Sequence, residues 1–576
     1  MSSAYLPGLG FAAPRTATRD PAGAETARLD RQARVRLILA IVAFATIYAV
    51  IAGRLVVLAS LTPASPVHYL SPGEQVSHAR PEILDRVGNV LATDIMVPSV
   101  YAEPVRIVDV DETIEKLTTV LPDLDRTDLR RRLTSGRDFI WIKREISPAE
   151  RAAIHRLGIP GIGFTEENKR VYPAGAITGH VVGLVNVDNL GIAGYEKHLD
   201  VAWLGALHQA GLAHTARLEP VTLSIDLRAQ HAVRDELIRA MDTFKAKAAA
   251  ATVIDVHTGE ILAMVSLPDF DPQRPSEALE PDRINRMTTG VYELGSAFKA
   301  FTTAMTLDTG RFDLKSTFDA RSPIRVGGNT IGDYHGKNRI LTIEEIYIHS
   351  SNIGTARMAL AVGIEGHKEF LRKLGFFDRL ETELPESGAP LYPKVWREVS
   401  TMTIAFGHGM SVSPLQAAAA SAALVNGGKL IPPTFEPRSR EAADRLARQV
   451  ISPQTSDMMR YLMRLNVVKG TAKKADVPGY SVGGKTGTAE KVVNGRYSGN
   501  KVLTTFLSTF PTTDPKYVVF VMLDEPIGTT ETHGYRTAGW NAAPTAGRII
   551  GRVAPILGVP PEFAPIDGEE PLTVSY

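Results

Sequence analysis

The chain has 576 residues, a length that suggests several domains rather than one. Lys plus Arg number 64 and Asp plus Glu 63, so no global field favours a nucleic acid partner. There is no Cys, which excludes disulfides, thiol catalysis and cysteine-based zinc sites, and 44% hydrophobic with 22% charged residues is an ordinary globular balance.

Residues 1–36 are poor in large apolar side chains and carry Arg15, Arg19, Arg28, Arg31, Arg34 and Arg36 against Asp20, Glu25 and Asp30. They read as a flexible tail. Leu37 to Gly53 then runs without a charge, Arg54 interrupts, and LVVLA follows. With Arg54 snorkelling to the interface, Leu37–Ala59 is long enough for one membrane-spanning helix. A cleaved signal peptide is the competing reading. The long tail and the lack of a clean Ala-x-Ala site soon after the apolar run speak against it. The arginines precede the span, so the N-terminus is expected in the cytoplasm and everything after about residue 60 outside it.

Residues 60–220 mix short strand-like runs with charged helical ones. Asp111–Leu121 and Pro148–Leu157 read as helices, and Val171–Val187 as extended chain. No catalytic constellation is visible there. The texture changes near residue 220. Val221–Ile225 reads as a strand and Arg228–Ala248 as an amphipathic helix. Ala249–Asp255 and Glu260–Val265 read as strands joined by a His257-Thr258-Gly259 turn. Later, Tyr480–Thr488, Val502–Phe510 and Tyr517–Leu523 form an antiparallel meander, with Asn494-Gly495 and Asp514-Pro515 at the connections. Helices before and between the two strand groups predict an α/β layered domain of mixed chain order. Residues 558–576 are rich in Pro and acid and read as a loose tail.

The chemistry concentrates in three short segments. After Tyr292-Glu-Leu-Gly a buried helix is predicted to begin near Ser296 and to end at Gly310, leaving Ser296, Lys299 and Thr303 as its polar stripe. A serine hydroxyl needs a base to attack a carbonyl. A lysine one turn away can serve if apolar surroundings lower its pKa. Ser-x-x-Lys alone is a short pattern, and Ser498-Gly-Asn-Lys501 repeats it in a turn-rich loop. Ser350-Ser351-Asn352, between two apolar helix-like runs, adds a hydroxyl for proton relay and an amide for a substrate peptide group; it also fits an ordinary helix cap. Gly484-Lys485-Thr486-Gly487-Thr488 on a strand adds an ammonium and two hydroxyls suited to a substrate carboxylate. Gly487 there is expected to let a ligand backbone approach. The order S-x-x-K, S-x-N, K-T-G matches a known template for penicillin-binding proteins and class A β-lactamases.

Longer runs narrow the resemblance. Arg80-Pro-Glu-Ile-Leu-Asp85-Arg86-Val-Gly88, Lys169-Arg-Val-Tyr172-Pro173 through Gly194-Tyr-Glu196, and Val291-Tyr-Glu-Leu-Gly-Ser296 carry it. So do Gly409-Met-Ser-Val-Ser-Pro414-Leu-Gln416 and Asn426-Gly-Gly-Lys429. On these residues the chain resembles the class B penicillin-binding proteins, in their division-specific form, over nearly everything after the anchor. Pro81, Val87 and Leu294 depart from the family's usual Gly, Asn and Pro, and His533–Pro544 has no assignable equivalent. The resemblance implies a tail at 1–36, a transmembrane helix at 37–59, an elongated α+β pedestal of the dimerisation type at 60–220 and a transpeptidase domain at 221–557. It gives the latter the α/β (α+β) penicillin-binding fold, an antiparallel sheet covered by helices.

The resemblance also implies the roles. Ser296 attacks the penultimate D-alanine carbonyl of a peptidoglycan stem peptide and Lys299 is its base. Ser350 shuttles the proton to the leaving amine, and Asn352 orients the donor peptide and Lys299. Lys485, Thr486, Gly487 and Thr488 form the carboxylate-binding strand, and the N–H groups of Ser296 and Thr488 the oxyanion hole. Arg80, Asp85, Arg86 and Glu196 are expected to hold the pedestal and the catalytic domain together. The implied partners are stem peptides, β-lactams, an FtsW-type glycosyltransferase with other divisome membrane proteins, and the inner membrane through Leu37–Ala59; no cofactor and no metal are implied. A β-lactamase would share the motifs but need a deacylating water, and no E-x-x-L-N segment is present. A D,D-carboxypeptidase would have no use for the pedestal. A sensor or scaffold would be expected to carry more spans or to have lost a motif. Elongation rather than division is the remaining class B alternative.

Overall fold

The computed structural model describes residues 38–39, 41–54, 80–204, 218–326, 329–493 and 495–563. The chain divides into two units, residues 1–72 and 73–576. In the first, residues 41–54 are helical with exposed side chains. No helix among the described residues is long and apolar enough to cross a membrane. The expected span Leu37–Ala59 runs past the described residues at both ends, and the tail at 1–36 lies outside them.

The second unit begins with the pedestal. Its strands are β1 (Ile83–Leu84), β2 (Val90–Ala102), β3 (Ile140–Lys143) and β4 (Ile162–Val171). Around them lie α1 (Val110–Val120), α2 (Arg126–Leu133), α3 (Pro148–Arg156) and the short α4 (Gly194–Leu199). The long strand β2 pairs antiparallel with β1, β3 and β4. Helix α1 starts on Asp109, whose carboxylate accepts from Asp111 N and Glu112 N, and buries Ile114 and Leu117. With Leu129 and Leu133 of α2 and Ile140 and Ile142 of β3, these side chains form a small core of their own. Residues 171–187 are extended only in part, with Leu184–Val185 a short strand. Beyond Val171 they wind into helical turns at Gly175–Thr178 and Gly179–Val182, and Val181 and Val182 are buried in the catalytic domain's core.

A buried ionic network ties the pedestal together. Arg80 bonds Glu196 through Nε at 2.7 Å and Asp200 through Nη1 at 2.8 Å. Arg170 bonds the other oxygen of Glu196 at 2.6 Å and Asp94 at 3.0 Å. Two guanidiniums against three carboxylates, with further bonds to the carbonyls of Pro81, Asn189 and Glu196, leave each buried charge paired. All these partners lie between residues 80 and 200, so Arg80 and Glu196 hold the pedestal itself and not its junction. Of the four residues expected at the junction, Asp85 and Arg86 reach it, and there Tyr195 also donates to Glu436. Asp85 accepts from Asn89 N at 2.7 Å and Leu227 N at 3.2 Å, while Arg86 N donates to Ile225 O at 2.9 Å and its guanidinium lies 3.7 Å from Glu260.

The catalytic domain enters through β5 (Val221–Thr222), shorter than the expected Val221–Ile225 because Ser224 N turns away to Phe435 O. Strand β5 runs parallel to β1. Next come α5 (Leu227–Phe244), capped by Asp226, and strands β6 (Ala248–Asp255) and β7 (Ile261–Leu267). Helices α6 (Lys299–Asp308), α7 (Ile343–His349) and α8 (Asn352–Val362) follow. Strands β8 (Gly483–Val493), β9 (Arg496–Phe510) and β10 (Tyr517–Asp524) and helix α9 (Ala542–Ile556) complete the frame. The five strands form one antiparallel sheet in the order β8-β9-β10-β6-β7. Its central strands are buried on both faces, and their few hydroxyls bond backbone carbonyls. In β10, Val518, Phe520 and Met522 enter the core that holds α6, whereas Val519, Val521 and Leu523 enter the core under α5 and α9. The tail is not loose from its start: Val559 is buried and Glu562 N donates to Gly479 O at 2.7 Å, because the apolar end of α9 continues onto the domain surface.

Candidate active site

Strand β8 is the edge of the sheet, and two pieces of helical backbone meet it. The first is a tight turn, Gly295–Phe298, which leads into α6 at Lys299, so the α-helix starts three residues later than Ser296. Gly295 imposes the tighter start. It sits at φ 54° with its N–H on Gly407 O, and a Cβ there would stand 2.4 Å from Thr488 O. Gly487 is the matching absence on the strand. A Cβ on it would lie 2.3 Å from Leu294 O and 2.3 Å from Thr505 Oγ1. The glycine of K-T-G therefore admits the nucleophile turn, not a ligand backbone as the sequence suggested.

The second piece is the α7–α8 junction. Ser350 ends α7 in left-handed backbone, φ 57°, and Ser351 caps α8 by accepting from Gly354 N at 3.0 Å. That reversal points Ser350 at both lysines. Lys299 Nζ donates to Ser350 O at 2.5 Å and to Ser350 Oγ at 3.1 Å, and Lys485 Nζ donates to the same Oγ at 2.9 Å. Both side-chain hydrogen bonds of Lys299 among the described residues go to Ser350. Asn352 turns its amide to Gly332 O at 2.9 Å instead of to Lys299. Thr486 Oγ1 shares a 2.7 Å hydrogen bond with Thr471 Oγ1, and Thr488 Oγ1 accepts from Ala538 N at 3.1 Å.

Two lysines at 1% and 0% exposure around one hydroxyl set the electrostatics. Burial first, then the charge of Lys485, holds Lys299 well below the usual lysine range. Burial brings Lys485 down to about 7. The ring of Tyr347 lies 5.9 Å from Lys485 Nζ. His408 is pushed to about 4 by burial and by Lys299. The arrangement offers a half-buried hydroxyl at Ser296, an amine with a reason to be neutral, and a second hydroxyl, Ser350 Oγ, shared with a second buried amine. No group of three His, Asp or Glu side chains among the described residues is placed to hold a metal.

Sequence reasoning missed Asp333, whose carboxylate accepts from Ser351 Oγ at 2.6 Å, Asn352 N at 2.6 Å and Ile353 N at 3.0 Å. A lone Asp between Gly332 and Tyr334 carries no periodic or spacing signal. The unassigned segment His533–Pro544 proves to support β8 from outside. Besides the bond from Ala538 N, Trp540 stacks on Tyr535 at 5.5 Å and lies 4.3 Å from Lys474 Nζ.

Comparison with known proteins matches this geometry to one family. The description "Penicillin binding protein transpeptidase domain" fits residues 249–550, and "Penicillin-binding Protein dimerisation domain" fits residues 75–199. The chain belongs to the penicillin-binding protein transpeptidase family. Its dimerisation domain followed by a transpeptidase domain makes it a class B member. A probable peptidoglycan D,D-transpeptidase FtsI of Caulobacter vibrioides is 41% identical, covering 84% of this chain and 82% of that protein. A probable peptidoglycan D,D-transpeptidase PenA of Neisseria meningitidis is 33% identical, over 84% and 85%. The peptidoglycan D,D-transpeptidase FtsI of Escherichia coli is 29% identical, over 85% of each chain. Among solved structures, penicillin-binding protein 3 of Mycobacterium tuberculosis in its apo form superposes with a TM-score of 0.64 at 25% identity, covering 84% of this chain and 97% of that one.

Proposed function

We propose that this penicillin-binding protein is a serine D,D-transpeptidase that cross-links peptidoglycan stem peptides during septal wall synthesis. The observation that carries the reading is the convergence of Lys299 and Lys485, both buried, on Ser350 beside the turn of Ser296. Ser296 Oγ attacks the penultimate D-alanine carbonyl while neutral Lys299 takes its proton. The N–H groups of Ser296 and Thr488 hold the oxyanion. Collapse of the tetrahedral intermediate breaks the peptide bond, and the proton passes from Lys299 through Ser350 to the leaving D-alanine amine. An amine of a neighbouring strand then attacks the acyl ester and gives up a proton to Lys299, which passes it to Ser296 as the ester bond breaks. Lys485 and Thr486 face the donor's terminal carboxylate, with Thr488 bracing the strand and Asn352 placing the donor peptide. β-Lactams enter by the same acylation.

The names of the Caulobacter and Escherichia relatives support a role in division. The charge-free run at Leu37–Gly53 supports a single-pass anchor in the inner membrane, with the catalytic domain on the periplasmic side and an FtsW-type glycosyltransferase as partner. Intact-mass spectrometry with benzylpenicillin tests the chemistry. A persistent adduct on the parent, absent from Ser296→Ala, is expected, whereas an adduct that is rapidly shed would point to a β-lactamase. Depletion in cells tests the assignment to division: filaments without septa are expected, and rounded cells would assign the enzyme to elongation.

A further inference from the structure

Helix α8 already has its N-cap, because Ser351 Oγ accepts from Gly354 N. Asp333 nevertheless reaches the same end from a loop 18 to 20 residues earlier in the chain and takes three more hydrogen bonds there. Ser351 satisfies one of the helix's orphan N–H groups, and Asp333 satisfies those of Asn352 and Ile353 and sets a carboxylate at the positive end of the helix. The same bonds fix the junction rigidly, and Ser350, one residue before Ser351, is where both lysines donate. Asp333 also brings negative charge into a site with two buried amines. The charged or titratable groups that bear on Lys299 are Lys485 from β8, His408 from the segment after Gly407, and Asp333. Lys485 pushes Lys299 towards its neutral form, and Asp333 opposes that.

We propose that Asp333 is a positioning residue for the serine–lysine pair: its carboxylate locks the Ser350–Asn352 turn in register with Lys299 and Lys485 and supplies Lys299 with a balancing negative charge. The proposal rests on Lys299 acting as the base for Ser296. Too little negative charge leaves Lys299 a weaker base at every pH; too much keeps it protonated and unable to accept the serine proton. Removing the charge disfavours protonated Lys299, so the pH below which acylation fails must move down.

The experiment measures the second-order rate of acylation by benzylpenicillin from pH 5 to 10, on the full chain in detergent, for the parent, Asp333→Asn and Asp333→Glu. Asp333→Asn keeps an acceptor for the N–H groups of Asn352 and Ile353. Its acid limb is expected to fall by on the order of one pH unit, with the plateau reduced by roughly tenfold. Asp333→Glu keeps the charge and is expected to hold the acid limb within about 0.3 unit of the parent while lowering the plateau. An Asp333→Asn profile that superposes on the parent overturns the proposal. So does a loss of rate, in both folded variants, with no movement of the limb in Asp333→Asn, since that is the mark of a purely structural residue. Should Asp333→Asn fail to fold, Asp333→Glu decides: a limb displaced by a full unit despite the retained charge overturns the proposal. Lys299→Ala, run alongside, separates the two readings. If it acylates at the parental rate, the base assignment itself fails; if it is silent and Asp333→Asn is unchanged, only the role of Asp333 falls.

Discussion

Adding one methyl group at Gly487 should disable the enzyme without unfolding it. The new Cβ would lie 2.3 Å from Leu294 O, 2.3 Å from Thr505 Oγ1 and 2.9 Å from Ala297 Cβ. Ordinary contact requires roughly 1 Å more separation from each oxygen. Thr505 is fixed within β9 and its hydroxyl bonds Leu294 O at 3.2 Å, so the strand cannot yield on that side. The nucleophile turn must therefore retreat by about 1 Å, a displacement that costs on the order of 100-fold in rate when reacting groups are preorganised. Stopped-flow acylation of Gly487→Ala with a chromogenic β-lactam should give a rate constant about two decades below the parent. Gly499→Ala is the control, since its Cβ would meet only Glu490 Oε1 at 3.8 Å. A folded Gly487→Ala protein acylating within about threefold of the parent would refute the idea that this glycine exists to admit the turn.

Further outcomes follow from the buried charges. Arg170→Met leaves Glu196 and Asp94 short of a partner at almost no exposure, and a loss of about 3–5 kcal/mol is expected in urea denaturation; a loss under 1 kcal/mol would show that water or a rearranged Arg80 reaches them. His180, His367 and His408 are each held near 4, so the unfolded chain takes up protons between pH 6.5 and 4 that the fold refuses, and stability must fall as pH drops through that window. His367 has both ring nitrogens unpartnered among the described residues and packs against Trp396; His367→Leu should remove at most about 3 kcal/mol of that acid sensitivity, and an unchanged slope would acquit it.

The catalytic sheet was legible because its signals are local. Strands β6 and β10 are largely apolar runs bounded by turn residues, and each of the three short motifs is contiguous in the chain. The helix after Ser296 was placed almost correctly, and its start was misjudged only because Gly295 winds more tightly than an α-helix. What escaped depends on partners far apart in sequence. Residues 171–187 look extended by composition, yet Val181 and Val182 are drawn into the catalytic domain's core and the chain curls to deliver them. Gly487 reads as a gap for a ligand until the turn that fills it is seen. Arg170 and Asp94 lie 76 residues apart, and nothing in either neighbourhood marks them as a pair.

The parallel register of β1 and β5 bears on the order in which the chain folds. Every partner of Arg80 and Arg170 lies before residue 201, so a ribosome that has released the first two hundred residues has released a pedestal able to close its own charges. Asp85 has to wait. One of its bonds goes to Leu227 N, and β1 gains its second neighbour only when Val221 and Thr222 arrive. The ion pairs of the pedestal can therefore close before the catalytic domain exists, whereas its seat waits for that domain, from Leu227 at its start to Glu386 and Glu436 far along it.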